Sequence, residues 1–136
     1  MKAIRLALVL GFALAFPALA QQATETPATP PVEGKPAPYD ERLERLSEIL
    51  GAVHYLRNLC VGKAEDDWRA AAQRIIALEA GTEPKRQEKL TAAFNRGYRS
   101  FAAIYTACTD SAVVAEERYR NEGATLATEI TARFGN

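Results

Sequence analysis

Between Leu43 and Cys60, the residues Leu43, Leu46, Leu50, Val53, Arg57 and Cys60 follow one another at intervals of three and four. That spacing sets all six on one face of an α-helix. The pattern recurs at Leu90, Phe94, Gly97, Phe101, Ile104 and Cys108. Each stripe ends in a cysteine, and the chain has only 2. A fold for this chain must bury both stripes and decide what becomes of the two thiols.

The rest of the pattern is also helical. From Tyr39 onward there is a single proline, Pro84, and no sustained alternation of period two. The first helix is expected from Glu41 to Val61, with Asp40 as its cap, Ile49 and Leu56 widening its stripe, and Gly62 closing it. A second is expected from Glu65 or Asp66 to Ala80. Its inner face would carry Trp68, Ala71, Ala72, Ile75 and Leu78, with Ile76 beside them and Gly81 as a left-handed stop. The third starts near Pro84, a residue tolerated in a first turn, and reaches Ala107. The fourth, capped by Thr109, Asp110 or Ser111, runs to Arg133 and buries Val113, Val114, Tyr119, Leu126, Ala127, Ile130 and Phe134. Gly123 within it suggests close approach of a neighbouring backbone rather than a bend. Short connections make neighbours antiparallel. The expected fold is all-α, an up-and-down antiparallel bundle of about four helices with one inter-helix disulfide.

Two segments stand apart from that bundle. Residues 1–20 join Lys2 and Arg5 to an apolar run, Leu6 to Phe16, and to Ala18-Leu19-Ala20. This is the pattern of an export signal cleaved after Ala20, and the run falls short of the roughly 20 residues a membrane span needs. No stable membrane anchor is expected after cleavage. Residues 21–38 hold five of the 7 prolines and only Val32 as a large apolar residue. They read as an extended, disordered linker, leaving 39–136 for the helical domain. Without Lys2 and Arg5 the chain carries 15 basic and 17 acidic residues, a balance that argues against nucleic acid as a partner.

In an oxidising compartment the two cysteines have one intramolecular pairing, Cys60 with Cys108. First and third helices that run parallel bring those ends together. Closing the 49-residue loop stabilises by about 4 kcal/mol on chain entropy. A redox-active pair would favour Cys-x-x-Cys, which is not the spacing here.

Signs of catalysis are weak. His54 is the only histidine, and zinc would need it together with both thiolates and a carboxylate, which a disulfide forbids. There is no Cys-x-x-Cys-His for haem and no Gly-x-Ser-x-Gly turn for a hydrolase. No catalytic residue, metal or cofactor is therefore assigned, with a hydrolase kept as a low-ranked alternative. Arg57, on the apolar stripe, calls for a carboxylate partner, and Glu79 at the inner edge of the second helix is the candidate. Within "FNRGYRSFAAIY", Phe94, Phe101 and Tyr105 read as core, whereas Arg96, Tyr98 and Arg99 form a candidate contact patch. The exposed part of "HYLR", His54 to Arg57 with Tyr55 among them, belongs to that contact surface. A ligand pocket lined by His54, Arg57, Trp68 and Tyr98 is the other candidate.

With these residues in view the chain resembles a family of small secreted alphaproteobacterial proteins known as a domain of unknown function. The resemblance rests on "LGAVHYLRNLC" (Leu50 to Cys60), Trp68-Arg69, Glu79, "FNRGYRSF" (Phe94 to Phe101), Tyr105, Cys108-Thr109 and Gly123. The family pattern has a methionine where this chain has alanine, near Ala72. The resemblance implies a periplasmic protein of envelope biology and carries over no activity. The expected role is a non-enzymatic interaction module, an adaptor or regulator of peptidoglycan remodelling whose partner is a periplasmic protein such as a cell-wall enzyme. The alternative is a small-ligand or glycan binder.

Overall fold

A computed structural model describes residues 34–62 and 64–135. Residues 1–20, where an export signal is expected, and residues 21–33 of the proline-rich segment lie outside the described residues. Among those described there are four helices: α1 (Asp40–Cys60), α2 (Asp67–Ala80), α3 (Pro84–Ala102) and α4 (Asp110–Phe134). None is long and apolar enough to cross a membrane.

Cross-helix pairs fix the directions. Asp40 meets Arg86, Glu48 meets Arg96 and Cys60 meets Cys108, so α1 and α3 run parallel in near-constant register. Tyr39 pairs with Glu79 and Arg57 with Glu65, so α2 runs against α1. Tyr39 touches Phe134 and Arg57 approaches Glu116, so α4 does the same. The up-and-down bundle is the observed fold.

Its members are unequal. α1 packs against all three others, whereas the backbone of α4 neighbours α1 alone. The inward stripe of α1 explains this: Leu43, Leu46, Ile49, Leu50, Ala52, Val53 and Leu56 are all buried. Leu43, Leu46 and Leu50 join Ala72, Ala80, Leu90 and Phe94 in one core, with Trp68, Ile75, Ile76, Leu126 and Ile130 packed around it. Each large side chain so buried contributes about 1.5–3 kcal/mol.

Two glycines set the spacing of the parallel pair. A Cβ on Gly51 would land on the backbone carbonyl of Phe94, and one on Gly97 on that of Glu48. The α1 and α3 backbones thus meet directly, and only residues without a side chain fit there. Gly123 plays a milder version of the role, since a Cβ there would come within 2.9 Å of Ile49 Cγ2. α4 is continuous through it, without the bend, but what comes close is the Ile49 side chain and not the neighbouring backbone that was expected.

Several local expectations are corrected. Asp40 is the first residue of α1, not its cap: its carboxylate accepts from Ala37 N at 2.9 Å and binds Arg86. Gly62 has φ 74 and does end α1 in the left-handed region, but Gly81 has φ −56, an ordinary helical value. α3 stops at Ala102, five residues short of expectation, and leaves Cys108 on an exposed connection. Among the caps considered for α4, Thr109 serves: its Oγ1 accepts from Ala112 N at 3.2 Å. Leu78, Ile104, Val113 and Val114, assigned to inner faces, are exposed. On α4 it is Ala112 and Gly123 that are buried.

Candidate functional site

The segment His54 to Cys60 organises one end of the bundle. Cys60 and Cys108 form a disulfide with their Cα atoms 4.9 Å apart. Tyr55 stands edge-on to Tyr98, ring centroids 5.1 Å apart, and its hydroxyl donates to the Tyr105 carbonyl. Asn58, unremarked in the sequence, ties the α1–α2 connection down: its Oδ1 accepts from Glu65 N at 2.5 Å, and its Nδ2 donates to the Glu65 and His54 carbonyls, both at 3.0 Å.

Arg57 does not meet Glu79. It pairs with Glu65 at 2.9 Å and approaches Glu116 of α4 at 3.7 Å. The Glu65 hydrogen bond is the main reason its pKa is raised. Glu79 sits at the opposite end of the bundle, because an antiparallel α2 carries its last turn to the start of α1. There it accepts from Tyr39 Oη at 2.9 Å. The arginine that end required is Arg86. Its Nε donates to Asp40 Oδ1 at 2.8 Å, its Nη1 to the Glu79 carbonyl, and its guanidinium lies 5.8 Å from the centre of the Tyr39 ring.

His54 is 4% exposed, one of two polar residues buried with the core, the other being Ser47. Its ring lies 5.9 Å from Phe94 and 6.0 Å from Tyr98. Its Nε2 faces Arg69 Nη2 at 3.2 Å, and its Nδ1 faces the Asn58 amide at 3.1 Å. A guanidinium has only donors, so Nε2 accepts and the imidazole is held neutral. Burial, then the Arg69 charge, push the His54 pKa below the ordinary histidine value; Asp66 and a hydrogen bond with the Glu65 carbonyl oppose them.

The four residues proposed to line a pocket do not do so. Trp68 is half-buried against the core, His54 is enclosed, and Arg57 turns to the acidic side chains. In the Arg96–Tyr98–Arg99 patch, Tyr98 turns inward to Tyr55 and His54, Arg96 binds Glu48 at 3.2 Å, and Arg99 is exposed.

A cleft does open between α2 and α3, with a volume of about 290 Å³. Its floor is apolar, formed by Ala72, Ile76 and Phe94. Arg69, Gln73, Gln87, Thr91 and Asn95 supply its polar groups, and no lining residue is acidic. Arg69 joins this cleft to the interior: its guanidinium rests 5.7 Å from the centre of the Phe94 ring while reaching His54. The sequence hid it, because a charged residue beside Trp68 on a helix reads as solvated surface.

Another cleft, at the start of α1 and α3, is crowded with both signs of charge, including Asp40, Glu41, Arg86 and Lys89. Among the described residues no group of three or more His, Cys, Asp or Glu side chains could hold a metal ion.

Fold and site together define a small disulfide-stapled helical domain whose α2–α3 cleft carries an exposed arginine seated on a buried histidine. The chain belongs to the family described as "Protein of unknown function (DUF2385)", whose model matches residues 38–134. No curated protein and no solved structure matches it.

Proposed function

We propose that this protein is a non-enzymatic interaction module of the cell envelope, exported to the periplasm, where it engages a partner in peptidoglycan remodelling through the α2–α3 cleft. The observation that carries this reading is the lining of that cleft. Amide side chains, one fixed cation and an apolar floor suit recognition: they hold a ligand's polar groups and shield its apolar ones. The Cys60–Cys108 disulfide supports the compartment, since such a bond persists where thiols are oxidised. The export signal read from residues 1–20 supports it as well.

The contact surface moves from the Arg96–Tyr98–Arg99 patch to the neighbouring groove, because Tyr98 is committed to packing. A photo-crosslinking residue placed at Asn95, in the full chain expressed in its native cells, tests the reading. One reproducible envelope partner at Asn95, absent when the crosslinker sits at Glu129 on α4, is the expected result. The same products from both positions, or none from Asn95, would overturn it.

A further inference from the structure

Arg69 differs from the other arginines that take part in side-chain hydrogen bonds. Arg45, Arg57, Arg86, Arg96 and Arg120 each lie against a carboxylate. Arg69 has none within ion-pairing reach among the described residues. It is nonetheless held in place, by a neutral imidazole on one side and the face of Phe94 on another. Such a guanidinium keeps its full charge and most of its donors for something else. Gln73 and Asn95, on the same cleft, also make no side-chain hydrogen bond among the described residues.

From this we infer that the α2–α3 cleft is a binding site for a short peptide bearing a free terminal carboxylate, with Arg69 as its anchor. This rests on the interaction-module reading and names the ligand class for its site. The planar guanidinium matches a carboxylate through two parallel hydrogen bonds. The side-chain amides of Gln73 and Asn95 can exchange hydrogen bonds with peptide groups, since each carries both donors and an acceptor. Ile76 and Phe94 offer an apolar floor to a small side chain such as alanine. The absence of acidic lining removes the competitor that would otherwise neutralise Arg69. A phosphate, with higher charge, would call for more than this single cation.

His54 acts on the ligand through Arg69 and is a positioning residue. The groups facing it are Asn58 on α1, Arg69 with Asp66 and the Glu65 carbonyl from the α2 side, and Phe94 and Tyr98 on α3. When its Nε2 gains a proton, two donors oppose each other and Arg69 leaves its seat. Peptide affinity therefore falls as pH drops below the ordinary histidine range, about 6.5.

The test is a titration of the purified, oxidised protein with acetyl-Ala-Ala, with its C-terminal amide and with inorganic phosphate, followed by amide NMR shifts. The free acid is expected to shift Gln73, Asn95 and the Arg69 side chain saturably, and the amide to bind roughly tenfold more weakly or worse. Arg69→Gln, at an exposed position, should lose the acid's advantage while keeping the helical spectrum. His54→Gln should keep binding at neutral pH and lose the pH dependence. Equal binding of acid and amide, or a response to phosphate alone, would overturn the carboxylate assignment and leave the interaction reading standing. No cleft shift with any probe would overturn the assignment too, and the Asn95 crosslinking result then decides the broader reading independently.

Discussion

The two ends of the parallel α1–α3 pair are fastened by different chemistry. At one end Cys60 and Cys108 are bonded covalently, and the arginine beside them, Arg57, keeps 32% of its side chain in solvent. At the other, no covalent link exists, and Arg86, 15% exposed, gathers Asp40, the Glu79 carbonyl and the Tyr39 ring. The difference teaches where each kind of fastening is useful. The disulfide end is ragged, with α3 finished at Ala102 and Val61, Ile104, Val113 and Val114 exposed, so packing contributes little there. At the ionic end the guanidinium of Arg86 is largely enclosed by its partners, and that enclosure strengthens its pairs while making their loss costly.

The strongest way to break this contrast is to remove the covalent end. Replacing both Cys60 and Cys108 with alanine should lower stability by about 4 kcal/mol, read as the shift in a urea midpoint. A loss below about 1 kcal/mol would mean that packing, not the bond, holds that end. Next comes the crossing between the ends. Gly97→Ala forces a methyl into the Glu48 carbonyl and should cost about 3 kcal/mol, more than an overpacked side chain that can rotate away. The same substitution at Gly123, which faces the movable Ile49 side chain, should cost about 1 kcal/mol.

The two arginines sharpen the comparison further. Arg86→Met strips a largely enclosed carboxylate partner and should cost about 2 kcal/mol, a value below that of a fully buried pair because some solvent reaches it. Arg57→Met, at the open end, should cost about 1 kcal/mol or less. Equal losses from paired thermal melts would erase the distinction.

The smallest effect is a pH dependence from His54. Its pKa is lowered by folding, first through burial, so below about pH 6.5 the unfolded chain takes up a proton that the folded chain resists. Stability is full above that value and declines as pH falls through the folded pKa. His54→Gln should remove that part of the acid-side decline in urea midpoints.

The helices and the disulfide were legible because three-four spacing reports directly on which face is buried. The same rule misled at the end of α3. Ile104 and Cys108 continue the spacing, yet the chain turns out of the helix after Ala102 and brings Cys108 back to Cys60 on a connection. Periodicity also failed for Val113 and Val114, which are apolar but lie off the narrow strip that a one-sided helix buries.

The Arg57–Glu79 pairing could have been rejected from topology alone, since an antiparallel α2 sends Glu79 to the far end of α1. Arg86 was not legible at all, and Arg69 entered only through the Trp68-Arg69 resemblance, with no role read for it. What distinguishes them from solvated arginines is the company brought by other helices: His54 and Phe94 in one case, Asp40 and Tyr39 in the other. Gly51 escaped notice for a related reason, because the need for bare backbone arises only where a second helix arrives.

The one-sided attachment of α4 has a consequence for the order in which the molecule comes apart. A helix whose backbone leans on a single neighbour can lift away while α1 and α3 stay packed, hinged at its start where the Cys60–Cys108 bond holds the chain two residues ahead of it. Its amides should then exchange with solvent ahead of those in α1. Departure would uncover Leu46 and Ile49, giving the native protein a hidden oily strip that appears only while that strut is raised.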